Sequence, residues 1–226
     1  MLAKEYFLLK EPFREFFILI RYYRFIYGHL KILKKLIRPR VRGTKNMTKY
    51  IVVEDPNSWN ALPEHVQVIS ARDYLTLPEY SKIKKARIFN LCQNYSYQST
   101  GYYVSLLAEA RGHTALPTVK NLVDFRDLSI VRLVSEEFDA LIQKSLKGLK
   151  SRHFTLSIYF GQNVAKKYEE LSAVFHRYFQ IPLMRVTFKY SNKWVIKTIR
   201  PIPVSEVPEQ HKSSLQDFTS QYFARK

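Results

Sequence analysis

The run ARIFNLCQNYSYQSTGYYVSLLAEARGH, residues 86–113, joins a short apolar segment, a polar segment and a segment of helical spacing. Residues 86–91 predict a buried strand, because the run is apolar and short. The polar residues 92–100 predict a loop, and residues 101–110 predict a helix that Gly112 stops. We expect this helix to bury a face formed by Tyr103, Leu106, Leu107 and Ala110. A strand, a loop and a helix in this order form the repeating unit of α/β folds.

The same alternation continues along the rest of the chain. Further strands are predicted at residues 50–53, 66–70 and 153–160, with a β-hairpin at 183–190 and 194–199. Further helices are predicted at residues 129–149, 163–179 and 208–223. With 46% hydrophobic and 25% charged residues, the composition is that of a folded chain. The sequence therefore predicts an α/β fold, a layered mixed sheet with flanking helices, preceded by a basic amphipathic N-terminal helix.

The charge of the chain divides it into two parts. The 37 Lys and Arg residues exceed the 19 Asp and Glu residues by 18, and residues 1–46 alone hold twelve basic and three acidic side chains. Half of the surplus, +9, therefore lies in one fifth of the chain. Such a surplus favours acidic partners such as nucleic acid, anionic lipid or carboxylates. We predict a basic, aromatic-rich leader at residues 1–46 and an α/β domain at residues 47–226.

The leader is predicted to be an amphipathic helix, because aromatic and aliphatic side chains recur three and four residues apart. Its longest uncharged run before Arg21 spans only residues 16–20, which is too short to cross a bilayer. Three interpretations stay open. The leader lies on an anionic membrane surface, or it docks on a partner, or it precedes the natural start of translation at Met47. The expected location is the cytoplasm, with peripheral membrane contact if the first interpretation holds.

Several chemical motifs are absent from the sequence. The six glycines are too far apart for GxGxxG or a P-loop, and the six histidines show no HExxH or HxH spacing. The single cysteine, Cys92, excludes an intramolecular disulfide and a CxxC zinc site, and it is typical of a reducing compartment. We therefore predict no metal site and no cofactor.

Residues 90–103 look suited to recognition. They follow a predicted strand and lead into a helix N-terminus, where α/β sheets bind ligands and where free N–H groups attract anions. Tyrosine adds flat surface with a polar tip, which is common at contacts with other chains. The candidate contact residues are Asn90, Tyr95, Tyr97, Gln98, Ser99 and Tyr102. In the alternative interpretation, Gln98, Ser99 and Thr100 cap the helix and the tyrosines pack beneath the loop.

Four further residues are candidate binding groups. Arg111, Arg185 and Arg200 are possible carboxylate anchors, because a guanidinium group pairs with a carboxylate through two parallel hydrogen bonds. His113 follows Arg111 at the end of the same predicted helix. The alternative for Arg111 and His113 is that they offset the dipole of that helix.

Residues 70–75, 86–113, 156–161 and 200–202 together resemble the RimK-like ATP-grasp N-terminal domain (RLAN) family, and the likeness spans about residues 50–225. The resemblance implies an α/β module that stands before an ATP-grasp ligase domain, the type that activates a carboxylate as an acyl phosphate and joins it to an amine. A nucleotide cleft and magnesium-binding carboxylates need a further domain. We therefore expect this chain to lack the ligase portion and to serve as an accessory module.

Three hypotheses about function follow. The sequence favours a non-catalytic recognition domain that works with a separately encoded ATP-grasp amide ligase and presents a peptide, protein or amino-acid substrate. The second is an enzyme that uses Cys92 or Glu109 with His113. The third is nucleic-acid binding through residues 82–85, residues 144–152 and the leader; no reader motif accompanies these clusters, so the sequence argues against it.

Overall fold

A four-stranded parallel sheet and a three-stranded antiparallel sheet carry the fold. The computed structural model describes residues 47–59 and 66–224 of the chain. The predicted leader helix at residues 1–46, with its membrane and partner interpretations, lies outside the described residues. The mixed α/β class predicted from the sequence is confirmed.

The parallel sheet has the strand order β2-β1-β3-β4. Its strands are β1 (Thr48–Val53), β2 (Val66–Ser70), β3 (Ala86–Asn90) and β4 (Thr114–Leu116). The first three match the predicted strands closely. Strand β4 was not predicted, because three residues are too few to show a hydrophobic period.

The described residues form eight α-helices. They are α1 (Ala71–Thr76), α2 (Pro78–Ser81), α3 (Thr100–Ala110), α4 (Val119–Asp124), α5 (Leu128–Glu137), α6 (Asp139–Leu146), α7 (Glu169–Phe179) and α8 (Glu209–Ala224). Helices α1 and α3 pack on one face of the parallel sheet, where Tyr74 and Val104 join the apolar cluster around Val52. Helix α8 packs on the other face, where Phe223 meets Phe89 with ring centroids 4.6 Å apart.

The antiparallel sheet has the order β5-β6-β7, with β5 (His153–Tyr159), β6 (Leu183–Ser191) and β7 (Lys193–Pro201). The predicted hairpin is confirmed, and it turns at Asn192, whose φ of 65° suits asparagine. One face of this sheet packs against α5, α6 and α7 around Phe175 and Phe188. Its end at Tyr159 joins the apolar cluster under α8. The two sheets are thereby connected through this shared apolar cluster.

Two predicted helices begin or end differently in the structure. The helix predicted at residues 129–149 is wrong as a single element. It is divided into α5 and α6, because Phe138 has φ −104° and ψ 17° and leaves the helical conformation. The helix predicted from residue 163 begins only at Glu169, after a 3-10 turn at Lys166–Tyr168.

The predicted buried face of α3 is also wrong. Tyr103 and Leu106 are exposed, and the buried residues are Gly101, Val104, Ser105 and Ala108. The small residues bring the helix close to the parallel sheet, where it packs with β1 and β3. Larger apolar side chains would hold the helix away from the sheet, so they turn outwards.

Candidate recognition site

A cavity of about 340 Å³ lies where the loop after β3 meets α4 and the start of α5. Two groups of residues line it. The first is three of the candidate tyrosines, Tyr95, Tyr97 and Tyr102, and the second comes from residues 122–127, namely Leu122, Val123, Arg126 and Asp127. The ring of Tyr97 is 73% exposed and stands edge-on to Tyr102, with centroids 5.3 Å apart. Val123 is 58% exposed. The cavity therefore opens to solvent between apolar side chains.

The side chain of Asn90 holds the loop to the helix. It is fully buried, and its Nδ2 donates to Gly101 O at 2.7 Å and to Ser105 Oγ at 2.9 Å. Its Oδ1 accepts from Cys92 N at 3.2 Å. Because every polar atom of the amide is bonded inside the protein, Asn90 positions the loop and does not face the cavity.

Tyr95 joins the core and the cavity. It is 3% exposed, and its hydroxyl donates to Asn90 O at 2.7 Å. Burial raises the pKa of Tyr95 well above its usual value, so the hydroxyl stays protonated and keeps this bond. The ring lines the cavity, while the polar tip is committed to the backbone of β3.

The loop folds back onto the first turn of α3. Gly101 N donates to Asn94 O at 3.1 Å, and Ser99 Oγ donates to the same oxygen at 2.8 Å. A Cβ at position 101 would lie 2.4 Å from Asn94 O, so only glycine fits. The expectation of free helical N–H groups for an anion fails at these positions, because the N–H groups of Gly101 and Tyr102 are bonded to Asn94 and Ser99.

Ser99 and Gln98 differ in role. Ser99 is the N-cap of α3, and its hydroxyl accepts from Tyr102 N, as the capping interpretation expects. Gln98 is exposed and has a positive φ of 64°. This backbone conformation turns the chain between Tyr97 and the cap, and it leaves the Gln98 side chain on the surface beside Tyr97.

The second wall of the cavity comes from residues 122–127, which the sequence did not single out. Arg126 donates from Nη2 to Ser96 Oγ at 3.1 Å and lies over the ring of Phe125. Asp127 caps α5 by accepting from Ser129 N at 2.7 Å. Their side chains give the apolar cavity a charged rim.

A family model described as the RimK-like ATP-grasp N-terminal domain matches residues 71–218, which include both walls of the cavity. The chain belongs to this family. A search among curated proteins found no match to this chain. Membership associates this RLAN domain with RimK-like ATP-grasp proteins.

Arg111 and His113 lie at the other end of α3, roughly 16 Å along an 11-residue helix from the cavity. Arg111 Nη1 donates to Tyr74 O at 2.7 Å, and its guanidinium group lies over the Tyr74 ring. His113 is 5% exposed; its Nε2 bonds Ile83 O at 2.8 Å, and its Nδ1 bonds Tyr74 Oη at 3.0 Å. Since a carbonyl only accepts, Nε2 carries the proton and Nδ1 accepts. The structure thus separates these two residues from the cavity.

Arg185 and Arg200 are also away from the cavity. They face each other across β6 and β7 and share the carboxylate of Glu206, with N–O distances of 3.1 Å and 2.6 Å. The hydrogen bond from Arg200, with the charges of both arginines, lowers the pKa of Glu206. Both residues do bind a carboxylate, and that carboxylate is the domain's own.

The catalytic hypothesis finds no supporting geometry in the described residues. Burial, followed by the nearby Glu54, raises the pKa of the Cys92 thiol far above its usual value, so a thiolate is disfavoured. Glu109 accepts from Val119 N at 2.7 Å, and both nitrogens of His113 are bonded elsewhere. The structure brings none of these three side chains into hydrogen bonds with one another.

Residues 47–59 and 66–224 hold neither a candidate metal centre nor a candidate membrane-spanning helix. Within these ranges, no group of three or more His, Cys, Asp or Glu residues is placed to hold a metal ion. Among the helices of the same ranges, none has the length and hydropathy of a membrane span.

Proposed function

We propose that this RLAN domain is a non-catalytic recognition module that acts with a separately encoded RimK-like ATP-grasp amide ligase in the modification of a peptide or protein. The observation that carries the proposal is the open cavity beside Tyr97 and Val123. Family membership supports the link to an ATP-grasp partner. A cytoplasmic location is proposed with it, because a chain whose single cysteine forms no intramolecular disulfide suits a reducing compartment.

The exposed aromatic surface favours a macromolecular partner. Tyr97 keeps 73% of its surface in water, although a tyrosine ring gains free energy when it is buried. Tyrosines of this kind anchor protein interfaces, because they offer a large, rigid surface with little rotamer entropy to lose. A partner that covers Tyr97 and Val123 would remove both from water.

The cavity sets the size and chemistry of what enters it. About 340 Å³ is near the lower limit for small-molecule pockets, so it suits one side chain of a peptide or a single amino acid. Its lining is mainly apolar, and Arg126 on the rim is available to a carboxylate. We assign Tyr97, Gln98 and Tyr102 to contact. Asn90, Tyr95 and Ser99 hold the loop that presents them.

Site-specific photo-crosslinking tests the proposal. Benzoylphenylalanine at position 97, introduced in the native host, is expected to capture a RimK-like ATP-grasp ligase or the peptide that it modifies, identified by mass spectrometry. Position 178 is the matched control, since Tyr178 is an exposed tyrosine on α7, away from the residues that line the cavity. Identical adducts from both positions, or adducts from position 97 that include neither ligase nor ligase substrate, would overturn the proposal.

A further inference from the structure

The outer face of the antiparallel sheet is basic. Side chains alternate along its strands, and Leu156, Val186 and Ile199 on the inner face are buried against the helices. The three strands contain five Lys or Arg residues and no Asp or Glu. The outer face of β6 and β7 holds four of these basic residues, namely Arg185, Lys189, Lys197 and Arg200.

A β-bulge brings Lys197 to this face. The register between β6 and β7 shifts at Thr187 and Phe188, so β7 has one more residue than its partner there. Ile196 and Ile199 are both buried, and Lys197 and Thr198 between them are both exposed. The bulge therefore adds a cation to a face that strict alternation would give to Thr198 alone.

Two of the four cations lack an acidic partner. Arg185 and Arg200 share Glu206. In the part of the chain that the structure describes, Lys189 and Lys197 pair with no carboxylate. Thr187 and Thr198 pair across β6 and β7, between the row of Arg185 and Arg200 and the two lysines. The face thus combines unpaired positive charge with hydrogen-bonding groups.

The free edge of β7 is partly occupied, at Trp194 and Ile196. Gln143 of α6 accepts from Trp194 N and donates to Trp194 O, at 3.0 Å and 2.7 Å. Ser135 of α5 accepts from Ile196 N at 3.3 Å. These bonds occupy backbone groups that would otherwise pair with an incoming strand. Strand addition is therefore disfavoured along this half of the edge, whereas Lys189, Lys197 and Arg200 on the outer face are exposed.

We propose that this face binds an acidic segment of polypeptide. Lys189 on β6 and Lys197 on β7 have no carboxylate to bind among the described residues, so they are the groups that an acidic peptide laid across these strands would contact. Arg185 and Arg200, which already share Glu206, add positive charge beside them. A single-stranded nucleic acid would need aromatic rings to stack its bases, and the aromatic residue that β5 directs to this side, Tyr159, is fully buried.

Fluorescence anisotropy with the full chain tests this proposal. The probe is a fluorescein-labelled ten-residue peptide of alternating Glu and Ser, at about 50 mM NaCl, where exposed charges are weakly screened. The double substitution Lys189→Glu and Lys197→Glu is expected to weaken binding about tenfold or more. The matched control, Lys82→Glu and Lys84→Glu, changes the charge equally at two exposed lysines outside the sheet and should change binding less than about twofold.

The outcomes separate this face from its alternatives. Equal loss in both double variants would mean that net charge, including that of the leader, drives binding, and it would overturn the proposal. The proposal would also be overturned if a 20-nucleotide uridine oligomer bound more tightly than the peptide and its binding depended on Lys189 and Lys197. Far-UV circular dichroism checks that each variant is folded. If the double variant Lys189→Glu and Lys197→Glu does not fold, the double variant Lys189→Gln and Lys197→Gln takes its place. Crosslinking at Tyr97 does not depend on this face, so the two proposals can fail separately.

Discussion

The two ends of helix α3 were both candidate binding regions, and the structure treats them in opposite ways. At the C-terminal end, Arg111 and His113 bond Tyr74 and Ile83 and are removed from contact with ligands. At the N-terminal end, the polar groups of Asn90 and Ser99 are likewise bonded inside the protein, while the Tyr97 ring remains in water. Polar residues thus form the framework at both ends, and exposed apolar surface marks only one of them.

This difference separates two kinds of signal in the sequence. A polar residue in a loop predicts either a ligand contact or an internal hydrogen bond, and the sequence does not distinguish them. An aromatic ring left exposed beside a cavity is harder to explain by stability alone, because burying it would gain free energy. Substitutions at the two ends should therefore affect stability and binding separately.

The largest effect is expected where the loop meets the first turn of α3. Gly101→Ala places a Cβ 2.4 Å from the backbone oxygen of Asn94, and neither atom belongs to a flexible side chain. We expect a loss of about 3 kcal/mol in the free energy of unfolding, measured by urea denaturation. Crosslinking from position 97 should fall with it, because the loop that carries Tyr97 must shift.

Gly112→Ala is the control at the opposite end of the helix. Gly112 has a φ of +74°, and a Cβ there meets no atom within 4 Å. The cost is then conformational only, about 1 kcal/mol, and crosslinking at position 97 should persist. If Gly101→Ala were as mild as Gly112→Ala, the close packing of loop and helix would be wrong.

The second effect concerns the C-terminal end of α3, where Arg111 and His113 are bonded inside the protein. His113→Ala leaves Tyr74 Oη and Ile83 O without their partner, which should cost about 2 kcal/mol. Tyr74→Phe removes one of the same bonds, so the double variant should lose less than the sum of the single losses. Crosslinking at position 97 should be unchanged in the folded fraction. A loss of crosslinking with intact stability would instead place His113 in the binding region.

How far the sequence predicts this molecule depends on what each feature requires. Strand β3 and the hairpin were predicted, because short apolar runs and a turn residue are local signals. The buried face of α3 was not, because its small residues are selected by close contact with the sheet and carry a weak hydrophobic period. The wall at Leu122 and Arg126 was missed for a similar reason, since only tertiary packing brings residues 122–127 beside Tyr97.

The third prediction concerns pH and a partly buried histidine, His176, outside both ends of α3. Burial lowers the pKa of His176, which bonds Ile181 O through Nδ1. The unfolded chain therefore takes up a proton more readily than the folded one. The stabilising contribution is present above about pH 6.5, the usual histidine value, and is lost as the pH falls below it. Urea midpoints at pH 7.5 and 5.5 should differ less in His176→Asn than in the parent.

The matched control is His153→Gln, because His153 is exposed at the start of β5. It should leave the difference between the two midpoints unchanged. If His153→Gln removed the acid sensitivity and His176→Asn did not, burial of His176 would not be its cause.

The smallest effect on stability is expected at the N-terminal end of α3, beside the exposed Tyr97 ring. The largest effect on binding is expected there too. Tyr97 and Gln98 are exposed, and Gln98 has a positive φ of 64°, whose steric cost alanine would share because it also has a Cβ. The double variant Tyr97→Ala and Gln98→Ala should therefore shift the melting temperature by no more than about 2 °C. Affinity for the ligase or peptide captured from position 97 should fall about tenfold or more, because Tyr97 supplies the exposed contact surface. A large drop in melting temperature with unchanged affinity would show that these side chains stabilise the fold, and the contrast between the two ends of α3 would be lost.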